Sequence, residues 1–388
     1  MHLTTRWVRP EDAGTYGLFL SLVPLGAMLT HAGLIKHFSR HWAGASDRRA
    51  YVREWLQAAI PPTGVLLGAI ALTAALGLLQ PRTGWAAAAL FAAAMTGALA
   101  LAFQLGVQST ARFWTDCGLT TFGSATRTFL PLLAVWLSGG GVSALSGGYV
   151  VHAVAYALVS GLAVWHLSPA SASASANLPS SSLHSYQTSF FFNGALALIN
   201  QGIVRWSASL ALDDAALGQV TLAASLAAVG PSMASGALWQ FCYPRLLAHH
   251  RGADRNRMRR FADLMLVVYL GVCALGGVLL AMLLPRLPGT LISAAYLPAI
   301  PYVLPLFSFY AGLCGLTLLQ GELLVLDRPQ SALRFAAGGT ALLAGGTAAC
   351  ALLAPTALAD WWWLSPAALL PVWIALRRDR GNGEGVTT

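Results

Sequence analysis

Two arginines stand inside long apolar stretches, Arg127 in SATRTFLP and Arg205 in NQGIVRWSASL. A guanidinium in hydrocarbon is costly, so such a residue marks a ligand or ion path by default. Its planar fork of donors also matches phosphate or carboxylate oxygens two at a time. The stretch that holds Arg205 carries Asn193, Asn200 and Gln201 at spacings of seven and eight residues, with Tyr186 seven residues before Asn193. On a helix these spacings fall on one face. Short amides cannot reach out to headgroups, so a polar stripe on an apolar helix predicts a helix lining a wet cavity. The bland alternative is that both arginines snorkel to the nearest interface. Gln104 and Gln108 are further polar residues in an apolar stretch.

Other chemistry is thin. His37 and His41 stand four apart, but in a basic segment with no acidic or cysteine partner, so no metal site is expected. The five cysteines are scattered without CxxC or zinc spacing. No G-x-x-x-x-G-K-[ST] loop is present, and no cofactor is expected. Pro298, Pro301 and Pro305 crowd one apolar stretch, where lost helix hydrogen bonds make it the candidate hinge.

The elements that would hold these residues are transmembrane helices. Hydrophobic residues make up 56% of the chain and charged residues 10%, against about 25% charged in soluble domains. About eleven stretches reach the roughly 20 residues that cross a bilayer: 16–35, 58–79, 84–107, 122–140, 145–167, 186–205, 214–242, 261–284, 296–320, 334–354 and 361–376. Of the 23 Lys and Arg residues, 18 fall on one side of this ladder; Arg6, Arg9, Arg82, Arg205 and Arg286 fall on the other. Cytoplasmic loops retain Lys and Arg, so the C-terminus is expected in the cytoplasm. The same asymmetry accounts for the net charge of +9 without nucleic acid.

The expected fold is all-α and polytopic, with two helix bundles around a central cavity. Residues 1–167 form the first bundle, 168–185 a flexible cytoplasmic linker rich in Ser, Ala and Pro, 186–376 the second bundle, and 377–388 a cytoplasmic tail. The basic, amphipathic segment 36–57 is expected along the membrane surface, near anionic headgroups. Trp361, Trp362 and Trp363 read as an outer interfacial aromatic belt.

The opening VRPEDAGTYGLFLSLVPLGAMLTHAGL, residues 8–34, resembles the start of Wzx-type polysaccharide flippases of the MATE-like (multidrug/oligosaccharidyl-lipid/polysaccharide) exporter superfamily. The matching positions are Arg9, Pro10, Glu11, Asp12, Gly14, Tyr16, Gly17 and Gly33. Residues 212–247 are similar to that family's later-half helix. Residues 294–313 match its helix entry in part, at Ala294, Tyr296 and Ala299. Family members carry one helix before the Arg-Pro-Glu-Asp stretch, so the resemblance implies eleven of twelve helices and an N-terminus outside.

The resemblance implies a transporter rather than an enzyme. It would flip a polyprenyl-pyrophosphate-linked oligosaccharide across the bacterial inner membrane for surface polysaccharide or lipopolysaccharide assembly. Arg127 and Arg205 would meet pyrophosphate, and Asn193, Asn200 and Gln201 sugar hydroxyls. Its partners would be the lipid-linked oligosaccharide, membrane lipids and a polysaccharide polymerase. Two other classes compete: a polytopic glycosyltransferase or polymerase, and a small-molecule exporter of the same superfamily. The opposite-side loops are short, which disfavours enzymes that need an outer acceptor domain.

Overall fold

A computed structural model describes residues 8–18, 20, 21, 23, 38, 42, 47–57, 92, 93, 96–107, 112–168, 180–251, 255–286, 292–325, 329–368 and 370–375. Among these the chain is helical and holds no strand. The helices are α1 (residues 10–18), α2 (48–57), α3 (Thr96–Val107), α4 (Phe113–Ser138), α5 (Val142–His166), α6 (Ser180–Ala211), α7 (Asp214–Arg251), α8 (Arg255–Leu283), α9 (Ile300–Val325), α10 (Pro329–Leu353) and α11 (Leu358–Leu364). The spans Val142–His166, Asp214–Trp239, Arg257–Arg286, Ala294–Gln320 and Ser331–Leu353 are long and apolar enough to cross a membrane. The protein is an all-α polytopic membrane protein.

Local chemistry sets the helix ends. Pro10 opens α1, where its missing N–H costs nothing. Asp47 caps α2 by accepting from the N–H groups of Arg49 (2.9 Å) and Ala50 (3.0 Å). Asp213 caps α7 through the Ala216 N–H at 2.7 Å. Gly139, Gly140 and Gly141 turn the chain from α4 to α5 at φ values of 80°, 114° and 100°, which L side chains rarely adopt.

The chain divides into two compact units, Thr15–Leu198 and Met1–Gly14 with Ile199–Thr388. In the first, α4 and α5 pack closely. A Cβ on Gly148 would lie 2.5 Å from the Leu130 carbonyl oxygen, so only glycine admits this approach. Beside them sits an aromatic cluster of Phe38, Trp42, Tyr51, Trp55 and Phe103, with Phe38 edge-on to Trp55 at 5.0 Å. Of the segment 36–57, the described aromatic residues Phe38, Trp42, Tyr51 and Trp55 are buried in this cluster rather than turned outward. Two of the three arginines of α2, Arg48 and Arg49, turn inward as well. Arg49 Nε donates to the Ser168 carbonyl at 2.7 Å and Arg48 to that of Leu167 at 3.4 Å. Both cations therefore sit at the C-terminal end of α5, where the helix dipole favours them.

In the second unit α9 is the central helix, packed by α7, α8, α10 and α11. Buried residues make up 72% of its most apolar window, against 17% for α8. The α8 residue Tyr269 donates to the Ala311 carbonyl at 2.9 Å, and Ser308 donates to that of Trp363 at 2.9 Å.

Four further expectations are corrected. Helix α6 starts at Ser180, inside the stretch read as linker. The stretch 361–376 is not one helix, because α11 ends in the 3-10 turn Ser365–Ala368, where Pro366 supplies no N–H. The three tryptophans form no belt: Trp362 is fully buried, Trp361 Nε1 donates to Thr347 Oγ1 at 3.1 Å, and Trp363 alone is exposed. Finally, α7 has 38 residues, about 57 Å at 1.5 Å per residue. It outruns a hydrocarbon core of roughly 30 Å, so the basic residues from Arg245 to Arg251 continue a helix rather than form a loop.

Candidate functional site

Asn200 and Arg205 lie on α6 in the second unit. Asn200 is buried and its Nδ2 donates to Thr340 Oγ1 of α10 at 2.8 Å. Its Oδ1 has no hydrogen-bond partner among the described residues. Arg205 is half-buried, and its Nε is buried without a partner among the described residues. The Arg205 charge acts on the phenol of Tyr310, which is buried on α9. An unpaired acceptor and an unpaired charged donor thus occur five residues apart on one helix. Buried polar groups normally find partners, so each of these atoms, about 140° apart around the helix, is a candidate for a ligand or bound solvent.

Arg127 lies in the first unit, exposed on α4. Its charge acts on His152 and on Tyr16. His152 is buried on α5 and its Nδ1 lies 2.9 Å from Thr126 Oγ1. The Thr126 hydroxyl donates its one proton to the Phe122 carbonyl at 2.8 Å. With the hydroxyl donating there, its oxygen accepts from His152 Nδ1–H, the tautomer that leaves Nε2 as an acceptor in the neutral ring. Tyr149 and Tyr156 flank His152 at ring-centroid distances of 5.4 and 5.8 Å. Tyr156 donates to Gln104 Oε1, and Gln104 Nε2 donates to Thr120 Oγ1 at 2.7 Å and reaches Asp116 at 3.5 Å.

The structure separates several residues that the sequence grouped. Gln201 is exposed while Asn200 beside it is buried, because adjacent helical residues point about 100° apart. The side chains of Tyr186 and Asn193 lie outside the described residues, as does Gln108. Arg127 and Arg205 belong to different units. Pro298 lies in the 3-10 turn Ala294–Ala299, Pro301 in the first turn of α9, and Pro305 within α9. Pro305 cannot donate to the Pro301 carbonyl, so the first turns of α9 carry a gap in their hydrogen bonding.

Sequence reading missed His152, Thr126, Tyr156 and Thr340. The signal for two of them was available: His152 and Tyr156 sit with Tyr149 at i, i+4 and i−3, one face of α5. Thr340 carried none, since a threonine in an apolar helix ordinarily bonds its own backbone. Among the described residues no three His, Cys, Asp or Glu side chains group to hold a metal ion. The chemistry on offer is cationic and hydrogen-bonding: an anion for Arg205 or Arg127, hydroxyls for Asn200.

No known family profile matches the chain, and no curated protein does. Two solved structures share its fold. One is an inward-facing multidrug resistance MATE family transporter of the MOP superfamily, with TM-score 0.68 and 12% identity, covering 100% of this chain and 94% of that one. The other is the lipid II flippase MurJ in an inward closed conformation, with TM-score 0.53 and 12% identity, covering 94% of this chain and 86% of that one.

Proposed function

We propose that this chain, built on the fold shared by a MATE transporter and a lipid II flippase, is a secondary transporter. Its cargo is a polyprenyl-pyrophosphate-linked oligosaccharide, carried across the bacterial inner membrane for surface polysaccharide assembly. The two compact units, Thr15–Leu198 and Met1–Gly14 with Ile199–Thr388, act as its lobes, with the C-terminus in the cytoplasm and a polysaccharide polymerase as the downstream partner.

The observation that carries this reading is the buried Nε of Arg205, which has no hydrogen-bond partner among the described residues; Asn200 Oδ1, on another face of the same helix, is likewise without one. A pyrophosphate oxygen supplies what the guanidinium lacks, and a sugar hydroxyl supplies what Asn200 Oδ1 lacks. At an effective dielectric of about 20, a phosphate in contact with a cation gains several kcal/mol. That gain offsets part of the cost of drawing the headgroup out of water, while the polyprenyl tail stays in lipid. Arg127, in the other unit, is a second candidate cation for the cargo, and the prolines of the ninth span, Pro298, Pro301 and Pro305, are the candidate hinge.

The test is to delete the gene and locate the accumulated lipid-linked oligosaccharide. Complete, unpolymerised units on the cytoplasmic leaflet support the flippase. Units one sugar short would make the protein a glycosyltransferase, and complete units already outside would make it a polymerase. The larger TM-score of the multidrug transporter favours small-molecule export as the second reading. In that case the glycan lipid would be distributed normally, and the deletion strain would become sensitive to a hydrophobic cation.

A further inference from the structure

Helix α1 is held at two places by two different units. Its first turn belongs with Ile199–Thr388, and from Thr15 onward it belongs with Thr15–Leu198. The grip at the first turn is a seat built by the 3-10 turn before α9 and the first turns of α7. Val8 is buried, and its carbonyl accepts from Tyr296 Oη at 3.0 Å, a bond between residues 288 positions apart. Pro10 lies against Gly218 so closely that a Cβ there would collide with the Pro10 carbonyl. Gly14, one turn later, reciprocates: a Cβ on it would lie 2.9 Å from Gly218 N and 3.0 Å from the Asp214 carbonyl oxygen. The turn is tied internally by Arg9 Nε to Asp12 Oδ2 at 3.1 Å and by the Ala13 N–H to the Arg9 carbonyl at 3.0 Å.

The second grip is of another kind. Tyr16, Leu20 and Val23 pack on Ala93, Tyr149 and Ala153 of the first unit. It rests on several apolar side chains, whereas the seat is built, among the described contacts, on the Tyr296 hydrogen bond and a glycine-to-backbone fit. A helix is stiff along its axis, so one held at both ends cannot follow a relative movement of the two units unless a grip gives way. The seat is the weaker, and Gly14 lies at the crossing point.

We propose that residues 8–14 are a strap that docks on Gly218 and Tyr296 and releases when the two units move relative to one another. The strap would then set the balance between conformations of the transporter. The proposal rests on the transporter reading only in taking the units to move.

Two measurements on the full chain in phospholipid nanodiscs test it, and neither involves a substrate. The first is amide hydrogen exchange, which reports local opening. Gly218→Ala forces a methyl into the Pro10 carbonyl and should speed exchange across residues 8–14 by about tenfold. The second is the distance distribution between spin labels on Cys117 in one unit and on Leu352→Cys in the other, both exposed, with Cys242, Cys273, Cys314 and Cys350 replaced by alanine. Gly218→Ala should shift or broaden that distribution. If the alanine variant does not fold, Tyr296→Phe removes one hydrogen bond; exchange should then rise by about fivefold and the distances move in the same direction. Two results overturn the proposal: wild-type residues 8–14 exchanging as fast as the variant's, or a freed strap with unchanged distances. Either would leave the transport assay untouched, and a failed transport assay would leave these readouts valid.

Discussion

In one unit Tyr156, Gln104 and Thr120 share hydrogen bonds and Thr126 pairs with His152, while in the other Asn200 Oδ1 and Arg205 Nε have no partner among the described residues. Both sets lie on apolar helices, and both look equally polar in the sequence. The first set is nearly closed, with Ser160 Oγ its unpaired exception. Closed networks rigidify a core, because every member loses a partner if any one moves. The open set has no protein partner among the described residues, which is the arrangement the proposed binding role requires. The comparison teaches that polarity inside a membrane helix has two uses, and that the count of unmet bonds separates them.

The largest effect that would sharpen this contrast is on Arg205. Arg205→Ala should reduce surface glycan by roughly 10- to 100-fold, the value of a hydrogen bond to a charged group. The melting temperature in detergent should stay unchanged, since no protein partner is orphaned at Nε. A large drop in melting temperature would instead make Arg205 structural and break the comparison. Gln104→Leu should do the opposite. It strips partners from Tyr156 and Thr120 and should lower stability by about 1–3 kcal/mol, read by thermal unfolding, while export at permissive temperature persists.

Asn200→Ala should fall between these. Thr340 loses its partner, costing about 1 kcal/mol, and export falls as well, because one amide serves both the fold and the proposed ligand. The smallest effect is at the end of α5. Arg49→Ala removes the contact to the Ser168 carbonyl and should cost about 0.5–1 kcal/mol, whereas the exposed Arg53→Ala should cost nothing measurable in the same unfolding assay.

Much of the architecture was legible because bilayer physics is nearly one-dimensional. Runs such as LMLVVYLGVCALGGVLLAML cannot be anything but a buried or lipid-facing helix, and α8 is where that run predicts it. The segment 36–57 was harder. Amphipathicity shows that Trp42 and Trp55 want an apolar surface, but a lipid headgroup layer and the flank of α3 satisfy that pattern equally well. The candidate site was legible in Arg205 and Asn200, since a charge and an amide in hydrocarbon need a reason to be there. It was not legible in Thr340 or Tyr310, which lie more than a hundred residues further along the chain on other helices.

The sequence by itself determined helix content, membrane character and the polar residues that demand explanation, because each follows from local composition and the cost of burying a charge or amide. Only the tertiary structure decided which of those residues are satisfied. That is a property of neighbours brought together from α6 and α10, or from α3, α4 and α5. The tertiary structure alone also placed the first turn of α1 with the second unit, since the fit of Pro10 to Gly218 depends on a close backbone approach that no spacing along the chain encodes.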